Sequence, residues 1–76
     1  MKYKAINIDP EIMGGTAVFM GTRVPIKTLF DYLEGGETLE EFLDDFPTVS
    51  KESAIEVLEM AKTTLTTEKV LNENFA

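Results

Sequence analysis

The sequence predicts a mainly α domain: a three-helix, helix-turn-helix-like unit preceded by a small N-terminal β element. Three observations carry this. Between Ile26 and Leu65 the apolar residues fall into three stripes at helical spacing, each bounded by a capping residue, a glycine or a proline. Before Ile26 the pattern changes to β-branched and aromatic residues punctuated by glycines, the composition of short strands and turns. No internal repeat or second block of either kind follows. The chain therefore reads as one domain over 1–76: strand and hairpin over 1–25, three-helix unit over 26–65, tail over 66–76.

Tyr3–Ile8 reads as a strand, with Ile6 and Ile8 on one face and Lys2 and Lys4 further along the same side. Asp9-Pro10-Glu11 has the form of a one-turn helix start, Asp9 as N-cap and Pro10 at the first helical position, stopped by Gly14-Gly15. Ala17–Met20 and Arg23–Val24 then form a hairpin. A type II′ turn at Gly21-Thr22 joins them, because Gly supplies positive φ cheaply, and Pro25 ends the pairing. An isolated hairpin is marginal in water, so Tyr3–Ile8 is expected to add a third strand, from its own subunit or from a second one.

The first helix spans Ile26–Glu34. Ile26, Leu29, Phe30 and Leu33 lie at i, i+3, i+4, i+7; Pro25 starts it and Gly35 or Gly36 ends it. The second spans Thr38–Phe46. Thr38 and Glu41 fit a capping box, Leu39, Phe42, Leu43 and Phe46 form the stripe, and Pro47 stops it. Ser50 caps a third helix to about Leu65, with Ala54, Val57, Leu58, Ala61 and Leu65 inward. The short Pro47-Thr48-Val49 connection gives the last pair helix-turn-helix proportions.

Composition narrows the function. With 76 residues the core is small, and such domains gain buried surface by oligomerising or binding a partner. There is no cysteine, which removes disulfides and thiolate chemistry, and no histidine, which removes the commonest general base and metal ligand. No apolar run is long enough to span a membrane, and the N-terminus lacks the apolar stretch of a signal peptide, so a cytoplasmic protein is expected. Asp44-Asp45 are neighbours on different helix faces, not a catalytic pair. Glu52, Glu56 and Glu59 share a face that reads as solvated rather than as a hard-cation site. The glycines match no phosphate loop. Neither an enzyme nor a cofactor or metal site is expected.

Net charge is −7, which repels nucleic acid unless cations cluster. The outward face of the third helix carries Glu52, Glu56, Glu59 and Thr63, a poor reader of a groove walled by phosphates. Any DNA contact would fall to Lys2, Lys4, Arg23 and Lys27 on the N-terminal element. The competing reading of Arg23 is a structural ion pair with a nearby carboxylate. Protein binding is better supported. Ile55 and Met60 flank the core stripe of the third helix, and Val70, Leu71 and Phe75 extend beyond the globule. The same groups would also serve a homodimer.

Asp9–Gly15, Gly21-Thr22-Arg23-Val24-Pro25-Ile26 and Gly36–Pro47 together resemble the small prokaryotic proteins grouped as domain of unknown function 433. The resemblance runs from about Ile6 to Ala61. It implies a helix-turn-helix-like domain with an N-terminal β element, and a VapB-like antitoxin role toward a PIN-type ribonuclease toxin. Thr16 and Met20 stand where the family often carries basic residues, and Ala17 stands at its proline position. The expected function is thus an antitoxin-like binding protein that neutralises such a toxin, with autoregulatory DNA binding as an added property. The alternatives are a dimeric transcriptional regulator and a homodimeric scaffold without DNA binding.

Overall fold

The computed structural model describes residues 4–67 and confirms the fold class. Two short strands, β1 (Ile6–Asn7) and β2 (Val18–Phe19), pair antiparallel, Ile6 opposite Phe19 and Asn7 opposite Val18. Three helices follow: α1 (Ile26–Glu34), α2 (Leu39–Asp45) and α3 (Lys51–Leu65).

The N-terminal segment adds a strand from its own chain, one of the two expected options, but the hairpin differs from the sequence reading. The ladder partner of β2 is β1 of the same chain, and the returning segment touches β2 only through a bridge between Val18 and Pro25. Pro25 does not end this contact, because the atoms used belong to its neighbours: Phe19 N donates to Val24 O (2.9 Å) and Ile26 N to Ala17 O (2.9 Å). The turn is also one residue earlier than expected. Thr22 N donates to Phe19 O (3.0 Å), which makes Met20 and Gly21 the central pair. Gly21, at φ +79°, is the second central residue, as in a type II turn rather than II′. The Thr22 hydroxyl decides this register. It donates to Phe19 O (2.9 Å) and accepts from Val24 N (3.0 Å), locking Thr22 outside the turn as its closing residue.

β1 is shorter than predicted; Ala5, just before it, is 2% exposed, whereas Ile8, just after it, is 64% exposed. The reason is the Asp9 turn that begins immediately after it. Asp9 Oδ1 accepts from Glu11 N (2.9 Å) and Asp9 O from Ile12 N (2.9 Å). This is a turn, not a helix start, and a 3-10 turn at Met13–Gly15 follows it. Met13, Gly14 and Gly15 have φ of +50°, +67° and +91°, so the chain goes left-handed before any right-handed helix develops.

The helices follow local signals closely. α1 ends in a Schellman arrangement: Gly36 (φ +89°) donates to Leu33 O and Glu37 N to Tyr32 O. The capping box of α2 is formed: Glu41 N donates to Thr38 Oγ1 (3.1 Å) and Thr38 N to Glu41 Oε1 (2.7 Å). Thr38 and Phe46 are therefore caps, one residue outside the helix at each end. Ser50 Oγ accepts from Ser53 N (3.0 Å) at the start of α3. Between α2 and α3, Val49 turns inward to 4% exposure and donates its N–H to Phe46 O (3.0 Å).

The core gathers Ala5 and Phe19 from the β element with Leu29, Phe42, Val49, Ala54 and Val57. Phe42 is its hub. Its ring lies 5.8 Å from Phe19, 5.2 Å from Phe46 and 5.5 Å from Tyr32, the last edge-to-face. Such ring pairs add to the area they bury. α3 is the exception to the predicted burial. Ala54 and Val57 are buried and Leu58 and Ala61 half-buried, but Leu65 is 64% exposed. At about 1.5 Å per residue, α3 is about 22 Å long. The nine residues of α1 and seven of α2 are too short to cover it, so its last turns run past the core.

Candidate functional site: an apolar groove along the end of α3

The overhang of α3 creates the most distinctive surface of the described fold. Ile6 from β1, Ile26 and Phe30 from α1, and Val57, Met60, Ala61, Thr64 and Leu65 from α3 line an open groove of about 260 Å³. Every lining residue but Thr64 is apolar. Ile26 and Phe30 belong to the α1 stripe assigned to the core, yet both are only half-buried, because they face this opening. Periodicity places a residue on a face but does not say whether a neighbouring element reaches it, so these two were legible as core and missed as site.

The predicted partner-binding residues divide. Met60 lines the groove; Ile55 is 41% exposed and does not. Val70, Leu71 and Phe75 lie outside the described residues.

The predicted DNA-contacting cations divide as well. Lys2 lies outside the described residues. Lys4 and Arg23 are exposed at the same end of the sheet, where Met20 N donates to Ala5 O (2.8 Å). Arg23 makes no ion pair with any described residue, so the structural pairing considered for it is not formed there. Lys27 is held by Asp31 at 2.7 Å, one turn along α1. The hydrogen bond that Lys27 donates to Asp31, then the Asp31 charge, raises the Lys27 pKa.

The acidic face of α3 is also rearranged. Glu56, expected to point outward, is half-buried and turns back to the N-terminal strand. Its Oε2 accepts from Lys4 N (3.0 Å) and Ala5 N (3.3 Å). Glu59 pairs with Lys62 at 3.5 Å. Among the described residues, no group of three or more His, Cys, Asp or Glu is placed to hold a metal ion. The role of Glu56 is to tie β1 to α3 and so form the groove wall that carries Ile6. Replacing it, Glu56→Ala, leaves two amides without their carboxylate. The expected outcome is faster hydrogen exchange at Lys4 and Ala5 with little change at Phe42, read by amide exchange.

On the far side of the domain, α1 and α2 are joined by the Tyr32 hydroxyl, which donates to Asp45 Oδ2 (2.6 Å). This hydrogen bond, followed by burial and the Asp45 charge, pushes the Tyr32 pKa from 10.0 to about 12. The unfolded chain releases this proton first, so between these values it binds fewer protons than the folded one. The stabilisation is full below pH 10 and declines as pH rises toward about 12. The urea midpoint is expected to fall across that window, and to fall less in Tyr32→Phe.

The chain resembles known proteins at two levels. The family described as "Protein of unknown function (DUF433)" matches residues 6–61. The crystal structure of a DUF433 member protein from Anabaena variabilis ATCC 29413 is 27% identical with a TM-score of 0.69, over 96% of this chain and 70% of that one. No curated protein matches the chain. No helix among the described residues is long and apolar enough to cross a membrane. The match over most of the chain, with the shared fold, places this protein in the DUF433 family.

Proposed function

We propose that this protein is an antitoxin-like binding protein, which docks a partner protein through the groove at the end of α3 and, when that partner is a PIN-type ribonuclease, neutralises it. The observation that supports this reading most is the groove itself. A small domain that leaves an apolar concavity open, with Leu65 64% exposed at its mouth, gains from covering it with another chain. The net charge of −7 suits a basic partner such as an RNA-binding cleft, since opposite fields steer association.

Autoregulatory DNA binding, in this reading, belongs to the complex. Lys4 and Arg23 are two cations on a strongly acidic domain, and the exposed face of α3 carries Glu52 and Glu59. A partner would have to supply the remaining positive charge.

The test is co-purification of the tagged chain from its source cells at moderate salt. The expected result is a stoichiometric small protein whose ribonuclease activity the chain suppresses. Recovery of the bare chain as a stable dimer would contradict the proposal in favour of a homodimeric scaffold.

A further inference from the structure

Among the described residues the sheet has two strands, so β1 has one open edge, and the bonding of β2 fixes what that edge presents. Phe19, opposite Ile6, spends both main-chain groups on its other side. Its N–H donates to Val24 O (2.9 Å), and its O accepts from Thr22 N (3.0 Å) and from the Thr22 hydroxyl (2.9 Å). Ile6 and Phe19 are therefore a non-hydrogen-bonded pair, and the N–H and C=O of Ile6 face away from β2. Asn7 turns its main chain to Val18. Ile8 faces outward again by the same alternation, and neither its N–H nor its C=O has a partner among the described residues. The window is closed at both ends. Glu56 takes the N–H groups of Lys4 and Ala5 before it, and the Asp9 turn bends the chain away after it.

We propose that this open edge is a strand-addition site: an extended, lysine- or arginine-bearing segment of the partner protein pairs its main chain with Ile6 and Ile8 and lays alternate side chains over the groove. This rests on the reading that a partner docks at the groove, and says in what form it does so. The Ile6 side chain lines the groove, so edge and groove form one continuous surface. Ile8, 64% exposed, extends its apolar area beside the edge.

The main chain decides between kinds of partner. A docked helix satisfies its own amides and carbonyls, so it would cover the Ile6 edge without serving it, and a polar group removed from water without a partner is costly. An extended segment supplies those hydrogen bonds and fills the groove with the same residues. The short window supplies few hydrogen bonds, so the apolar side chains must carry much of the affinity. Charge decides between sources. A second copy of β1 offers the same main-chain groups but brings its own charge of −7, whereas a basic segment is drawn to the domain.

The experiment uses the full chain. The probe is a short end-capped peptide of alternating valine and lysine, compared with the same peptide N-methylated at every residue, which keeps the side chains and charge but has no main-chain N–H. Amide exchange is read at Ile6 and Ile8, with Asn7, already bonded to Val18, as internal reference. The unmethylated peptide is expected to slow exchange at Ile6 and Ile8 at least about tenfold and to leave Asn7 unchanged; the methylated one is expected to bind at least about tenfold more weakly. Equal binding of the two peptides, binding without protection of Ile6 and Ile8, or no binding of either would overturn strand addition. Slow exchange at Ile6 and Ile8 in the peptide-free chain would overturn it as well, in favour of a second copy if dilution restores fast exchange. None of these outcomes depends on the co-purified partner, so the antitoxin-like role fails or stands separately.

Discussion

Phe42→Ala is expected to remove most of the stability of the domain. The side chain is fully buried and its ring meets three other rings. Truncating a buried phenylalanine costs about 3–5 kcal/mol, the transfer of the ring plus the cavity left behind. A domain of this size holds roughly 4–11 kcal/mol in total. The variant is therefore expected to show a strongly lowered urea midpoint, with a large fraction unfolded at physiological temperature. Phe46→Ala, at the half-buried edge of the same cluster, is expected to cost less. Equal losses from the two substitutions would show that Phe42 is not the hub the geometry makes it.

The same residue illustrates how much of the fold is written locally. Phe42 sits in a helix whose start is set by Thr38 and Glu41, three positions apart, and whose apolar stripe repeats at a single period. α1 and α3 carry equally local signals, and their boundaries match those of the structure. The β element is different because its partners are distant in sequence. Nothing within Ala17–Val24 says that β2 pairs with Ile6–Asn7 rather than with its own return. The Thr22 hydroxyl, which shifts the turn by one residue, acts through contacts that a turn-type preference does not contain. Asp9–Gly15 resembles a helix start by residue type, but it places Met13 and two glycines at positive φ, a backbone path that residue type leaves open.

Glu56 shows the limit most clearly at the candidate site. Helical periodicity puts it on the outward face of α3, and outward it would be a solvated carboxylate. The N-terminal strand passes that face and presents two amides, from residues 52 and 51 positions earlier in the chain. The groove has the same origin. It arises from the length of α3 relative to α1 and α2, a property of three elements together, whereas an apolar stripe is a property of one helix.

The second large effect concerns binding. Leu65→Asp puts a charge at the mouth of the groove, on a residue 64% exposed whose loss costs the core little. The thermal midpoint is expected to stay close to that of the unsubstituted chain, while partner affinity falls at least about thirtyfold, the size of a binding hot spot. Ile55→Asp, on the same helix but outside the groove, is expected to leave affinity nearly unchanged. The pair separates a specific docking surface from a general effect of added negative charge.

The measurement that bears most directly on the central claim is a ribonuclease titration of the co-purified partner with the unsubstituted chain, Leu65→Asp and Ile55→Asp in parallel. Stoichiometric inhibition by the unsubstituted chain and by Ile55→Asp, with inhibition lost in Leu65→Asp, is the predicted result. Equal inhibition by all three proteins, or none by any, would contradict docking through the groove.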